Sequence, residues 1–260
     1  MTVHLTMTEH QATTAHLTTT AQVATSAQVN NSDSRRPRTL AMQENVDQLV
    51  FELIGQRHAE RARVEETITQ RFAQVYGADV RRFMPWQLCV RLTGDIVATL
   101  GIRCAESAPL FLENYLDAPI EEMASRVIGR GVERKHIVEI GNLASNWRGA
   151  SQWLFITLTL LLCEQERPWV TFTATPEVQK LLRRLDIMPV ALVHADAERL
   201  GDEKERWGSY YEQKPLVMIT HAPTAQQKML QHPLLNDLVA QLTPFVHSVQ
   251  QQWSTYVSAN

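Results

Sequence analysis

The residue pattern predicts an α/β (α+β) protein built on a mixed central sheet flanked by helices. Three observations carry this. Short apolar runs of strand length alternate with longer runs of helical period from about residue 48 onward. Two of the short runs are joined by a short Gly-Asp connection, which brings adjacent strands back antiparallel as a hairpin. The stretch His136–Ser151 then passes from strand through turn to helix.

In chain order, Gln48–Ile54 is the first strand. From about Ala59, Val64, Ile68, Phe72 and Val75 recur at the spacing of an amphipathic helix that ends near Gly77. Trp86–Leu92 and Ile96–Ile102 are strand-like, and Thr93-Gly94-Asp95 brings them back antiparallel. Pro109–Glu121 mixes Phe111, Tyr115 and Leu116 with Glu113, Asp117 and Glu121, which fits either a half-buried connector or the lining of a substrate entrance; a short helical segment follows, up to Gly131.

In the central stretch, Val138 and Ile140 share one face, and Ile137, Glu139 and Gly141 the other, because strand side chains alternate. Glu139 therefore sits among apolar neighbours. Asn146 is placed to cap the next helix, with Arg148, Gly149, Ala150 and Ser151 in its first turn. Trp153–Cys163 is apolar nearly all round, as suits a helix packed on a sheet. Trp169–Ala174 is a further strand. Thr175 caps a helix with Pro176 at its first position, a buried stripe of Val178, Leu181, Leu182 and Leu185, and a solvated basic side at Lys180, Arg183 and Arg184. Met188–Val193 and Leu216–Ile219 are the last strands, separated by a polar stretch containing Trp207–Tyr211. Leu235, Leu238, Leu242 and Phe245 form a helical stripe interrupted by Pro244.

Residues 1–40 are rich in Thr, Ala, Gln, His and Ser, with too little apolar surface to offset ordering entropy, so a disordered tail is expected there. A domain over 48–220 and a C-terminal helical extension over 221–260 complete the expected organisation. No apolar core follows Met1, and the first Lys or Arg is Arg35, which is not the pattern of a secretory signal; a cytoplasmic location is expected. The formal net charge of −3 gives no reason to expect nucleic acid or an anionic membrane as partner. Cys89, Cys104 and Cys163 lack C-x-x-C spacing and read as buried thiols; the nine scattered histidines include no H-E-x-x-H, so no metal is predicted. Trp153–Cys163 spans roughly 17 Å as a helix against a hydrocarbon core of about 30 Å, so no transmembrane segment is expected.

A helix start carries free N–H groups and partial positive charge, and Gly149 and Ala150 leave room for an anion such as a pyrophosphate. An ordinary helix start after a strand is the competing reading. The element order of strand, helix, hairpin, connector, strand, helix, strand, helix, strand, strand resembles the GNAT acyltransferase fold. In that fold the turn into the central helix grips the pyrophosphate of acyl-CoA, commonly through Q/R-x-x-G-x-G/A; Arg148-Gly149-Ala150 is the part that approximates it here. The resemblance implies donor binding by Asn146, Arg148, Gly149, Ala150 and Ser151. Longer phrases, Pro109–Glu121, Val138–Ala144, Trp169–Thr175 and Trp207–Tyr211, resemble the thermostable hemolysin family across about residues 48–220.

These resemblances imply an acyltransferase. Its donor substrate is acyl-CoA or an acyl-carrier protein, and its acceptor a small molecule with an amine or similar nucleophile, entering past Phe111, Glu113, Tyr115 and Asp117. An acidic residue on the central strand, with an insertion before it, is similar to the acyl-homoserine-lactone synthases. Glu139 is the candidate general base, because partial desolvation raises a carboxylate pKa toward neutrality. A buried acid that only ties down backbone N–H groups or an arginine is the alternative. GNAT enzymes often use a tyrosine to protonate the leaving thiolate; the helix Pro176–Leu185 has none, which leaves Tyr210 and Tyr211, with structural packing as their competing role. The other function classes are a hemolysin acting directly on membranes and a non-catalytic GNAT-like binding domain.

Overall fold

The computed structural model describes residues 48–147 and 149–257, with side chains as far as 254. The tail expected over residues 1–40 and the side chain of Arg148 lie outside them.

Strands β1 (Leu49–Ile54), β2 (Trp86–Leu92), β3 (Asp95–Cys104), β4 (Ile137–Ser145), β5 (Trp169–Ala174), β6 (Val190–His194) and β7 (Leu216–His221) form one sheet of order β1-β2-β3-β4-β5-β7-β6. Only β4 and β5 pair in parallel; the other neighbours are antiparallel. This is the expected mixed sheet flanked by helices, with the strands and helices in the expected order along the chain. The β2–β3 turn is tighter than expected. Leu92 pairs with Asp95, and the two loop residues, Thr93 and Gly94, both take positive φ (52° and 90°), the geometry that lets a two-residue loop follow strand twist.

Helix α1 (Arg61–Tyr76) buries Val64, Ile68 and Phe72. Val75 is 43% exposed, contrary to expectation. It belongs to the last turn, where cover comes from the side of Tyr76, against which Phe72 and Tyr210 stack. The connector folds into a 3₁₀ segment, Phe111–Tyr115, followed by α2 (Ile120–Ile128). Helix α3 (Ala150–Glu164) is buried from Trp153 to Leu162 because the sheet lies on one side and later helices on the other. Packing holds it, at roughly 1.5–3 kcal/mol per fully buried large apolar side chain. Helix α4 (Pro176–Arg184) starts as expected, with Thr175 Oγ1 accepting from the Val178 amide. β6 begins at Val190, later than expected, and Met188 before it is 57% exposed.

Helices α5 (Ala222–Gln231) and α6 (Pro233–Val257) cover the α3 side. Pro244 does not interrupt α6. It lies on the exposed face, where the carbonyl that its ring leaves unbonded meets water, while Leu235, Val239, Leu242, Val246, Val249 and Trp253 make a buried stripe through both halves. Leu238 and Phe245 are only partly buried. Phe245 meets Phe51 at 4.9 Å between centroids, and Gln252 Oε1 accepts from the Leu53 amide at 2.8 Å, so α6 satisfies part of the edge that β1 presents.

Candidate active site

The site grows from the one parallel pairing in the sheet. β4 and β5 are in register only from Ile137 to Ile140 against Trp169 to Phe172, although β4 runs on to Ser145 and β5 to Ala174. Beyond that point the strands part. The cause is in β4: Asn142 takes φ 48°, and the β3–β4 register shifts between Thr99 and Gly101. A bulge of this kind bends its strand and re-aims the residues beyond it. Asn142 is pinned there, its Oδ1 accepting from the Met84 amide at 2.8 Å and from Gln87 Nε2 at 3.3 Å.

Glu139 lies in the paired part of β4, 2% exposed. Its Oε1 accepts from the Leu112 amide at 2.9 Å and its Oε2 from the Phe111 amide at 3.0 Å, two consecutive N–H groups of the 3₁₀ segment. Desolvation pushes its carboxyl up to about 7 against the pull of those two amides and the more distant charge of Arg103. The group is thus poised between its two protonation states at neutral pH.

An aromatic cluster continues from there. Phe111 meets Tyr115 at 6.0 Å and Trp207 at 5.6 Å; Trp207 meets Tyr210 at 5.3 Å and Tyr211 at 5.9 Å. The Tyr115 and Tyr211 hydroxyls are hydrogen-bonded to each other. Burial, then the neighbouring Tyr211, drives the Tyr115 phenol far up, and burial pushes Tyr211 up to about 12, so both are protonated at neutral pH. Tyr210 is wedged between rings, T-shaped against Tyr76 at 5.2 Å, and burial raises it as well. Trp207 and Tyr210 reach this place because Gly208, at φ 51°, lets the chain pass over the end of α1. A Cβ there would meet the Tyr76 carbonyl oxygen at 2.0 Å, and the next amide, Ser209, donates to that oxygen at 2.8 Å.

The fold brings Glu139, Phe111, Tyr115, Tyr210 and Tyr211 together and leaves two connector acids elsewhere. Glu113 is committed to an ion-pair knot: it takes a two-pronged contact from Arg134 (2.6 and 2.9 Å) and accepts from the Leu110 and Ile120 amides. Burial would raise its carboxyl, but Arg134 and those amides outweigh it and hold it at about 2. Arg134 also reaches Glu121 at 2.8 Å. Asp117 is exposed and paired with Arg199.

At the far end of β4, about 20 Å along the strand from Glu139, α3 starts at Ala150. Gly149, at φ 95°, is its cap residue, with no side chain capping it. Asn146 does not cap the helix; its amide donates to the Val97 carbonyl and its Nδ2 to that of Ile96, which ties it to β3. Ala150 is buried and Ser151 partly exposed, and a Cβ on Gly149 would meet nothing within 4 Å, so the helix start is open on that side. Trp207, Asn142 and Gly208 were not singled out from the sequence as site-forming residues; the Trp-Gly-Ser-Tyr-Tyr phrase held the signal for two of them.

Among solved structures, the acyl-homoserine-lactone synthase LasI is similar over 67% of this chain and 90% of its own, at 14% identity and a TM-score of 0.45. BjaI, a CoA-dependent acyl-homoserine-lactone synthase solved with SAM and isopentyl-CoA, is similar over 74% of this chain and 90% of its own, at 10% identity and a TM-score of 0.49. FeeM, an N-acyl amino acid synthase from uncultured soil microbes, is similar over 68% and 92%, at 12% identity and 0.45. No curated protein matches the sequence significantly. The family model described as thermostable hemolysin matches residues 54–226, which take in every strand after β1, the parted β4–β5 pair, Glu139 and the aromatic cluster; the chain belongs to the thermostable hemolysin family.

Proposed function

We propose that this protein is an acyltransferase that moves an acyl group from a CoA or carrier-protein thioester to the amine, or a similar nucleophile, of a small molecule. The observation that carries the reading is the wedge that opens between β4 and β5 beyond Ile140 and Phe172, with a buried carboxylate of raised pKa at Glu139 just short of the opening and a hydroxyl pair near it. The thioester lies in the wedge, its phosphates toward Arg148 and the open helix start at Gly149, Ala150 and Ser151. Each Glu139 oxygen spends one lone pair on an amide and keeps one free, so the carboxylate takes the proton that the attacking nitrogen loses. The C–N bond forms and the C–S bond breaks. The departing thiolate takes a proton from Tyr211, a partly exposed residue whose hydroxyl is held by Tyr115 and is reprotonated from solvent, while Glu139 returns the proton of the nitrogen to solvent, so no net charge is left in the site. Tyr210 walls the acceptor space with Trp207 and Phe111.

A second reading rests on the same two amide bonds: Glu139 anchors the 3₁₀ segment and does no proton transfer. Direct membrane action, the remaining class, gains no support from the helices, since among the described residues none is long and apolar enough to cross a membrane.

The test is a panel of acyl-CoA and acyl-carrier donors with small amines, followed by thiol release and by mass spectrometry of N-acyl products. Thiol release that depends on the amine, with the matching product, is the expected result. If acyl-CoA binds with no turnover, the binding-domain reading replaces this one; if neither donor binds, the acyltransferase reading fails.

A further inference from the structure

At the opposite end of β5 and β7 from the parted strands lies a second cavity, of about 260 Å³, sharing no residue with the site above. Its walls bring together three large apolar side chains that the fold leaves in water: Val127 at 43% exposure, Met188 at 57% and Val190 at 48%. They come from three separate places, the end of α2, the loop before β6 and the start of β6. Scattered single apolar residues on a surface need no explanation, but several converging on one concavity mark a binding site. The floor is apolar as well, formed by Ile219 and Ala225.

The rim is cationic. Lys228 lines the cavity, and the Arg130 guanidinium lies 5.5 Å from the ring of Trp169, another lining residue. Neither cation has a carboxylate in ion-pair contact among the described residues. His221 stacks on Trp169 at 4.6 Å, with its Nδ1 2.8 Å from Thr224 Oγ1. The lining itself carries one cation, Lys228, and one acid, Asp186; Arg130, stacked on Trp169 beside the lining, tips the balance to positive.

We propose that this cavity binds a small anionic amphiphile, a short-chain fatty carboxylate, with its chain between Val127, Met188 and Val190 and its headgroup on Lys228 and Arg130. Size sets the chain length. The volume falls just below the roughly 300–1,000 Å³ of sites for drug-sized ligands, so the ligand is nearer octanoate than a long-chain lipid. Charge sets the sign of the headgroup. Burial and the nearby Arg130 hold His221 below the ordinary imidazole range, so at neutral pH it contributes hydrogen bonds to the headgroup rather than a further charge.

Calorimetry with the full chain tests this, using octanoate as probe, acetate as the control without a chain and octylamine as the control with the opposite charge. The variants are K228Q with R130Q, and M188S with V190D; all four positions are exposed, and a melting curve checks that each variant folds. Octanoate should bind saturably, and each double variant should weaken it by at least about tenfold. Acetate and octylamine should give no saturable heat. No octanoate binding up to roughly 1 mM, undiminished binding in both variants, or octylamine binding as tightly as octanoate would each overturn the proposal. So would binding to anionic vesicles without binding of free octanoate, since the surface would then be a membrane contact.

Discussion

A carboxylate that gives up its water to lie 2% exposed beneath β4 needs compensation, and Glu139 has two amide hydrogen bonds to offset a desolvation cost that still leaves its pKa near 7. Replacing it by Gln keeps the shape and one acceptor but removes the base. Turnover should fall by about 10² to 10⁴ with a small change in melting temperature; a variant that turns over normally, or is inactive only because it no longer folds, makes Glu139 an anchor. The same raised pKa has a stability signature. Between the ordinary carboxylate range and pH 7 the folded state holds a proton at Glu139 that the unfolded state has lost, so stability falls as pH rises through that window, by up to about 3 kcal/mol. E139Q should flatten that part of the stability profile in denaturant titrations. Glu113 has the opposite sign. Held at about 2 by Arg134 and two amides, it contributes stability above its unfolded pKa that is lost as pH falls toward 2.

Among the elements, the segment carrying Trp207 and the tyrosine pair is attached to the end of α1 through Gly208, whose positive φ and close approach to Tyr76 admit no side chain. G208A should lower stability by several kcal/mol, or detach the segment and disturb the aromatic cluster, which near-ultraviolet circular dichroism reads directly. Helix α6 gives a prediction of the other sign. Pro244 lies on its solvent face and removes a backbone hydrogen bond without serving the buried stripe. P244A should therefore raise stability by about 1–2 kcal/mol, the helical gain being partly offset by a more flexible unfolded chain. An unchanged or lower melting temperature would mean that Pro244 itself helps fit α6 against Phe51 and α3.

For the whole molecule, β1, the first described strand, is paired to β2 on one side and covered by α6. Deleting residues 1–40 should leave the melting temperature within error, and a large drop would show that the tail docks. Adding the purified protein to dye-loaded vesicles with no thioester present separates the two broad function classes, since leakage under those conditions is not acyltransferase chemistry. The local patterns were legible without coordinates because they depend on neighbours in the chain. The strand alternation that sets Glu139 on the face of Ile137 and Gly141, the Thr175 cap, the hairpin and the all-apolar α3 follow from period, propensity and capping chemistry. What tertiary structure decided concerns partners distant in sequence. Long-range packing carried α6 through Pro244, and the end of α1 left Val75 in water while Tyr76 met Tyr210. The connector acids were divided by reach: Glu113 went to Arg134 and Asp117 to Arg199, while the amides of Phe111 and Leu112 went to Glu139. Which of several carboxylates loses its water depends on the chain that folds over it, and that chain arrives from 27 residues away for Glu139 and 21 for Glu113.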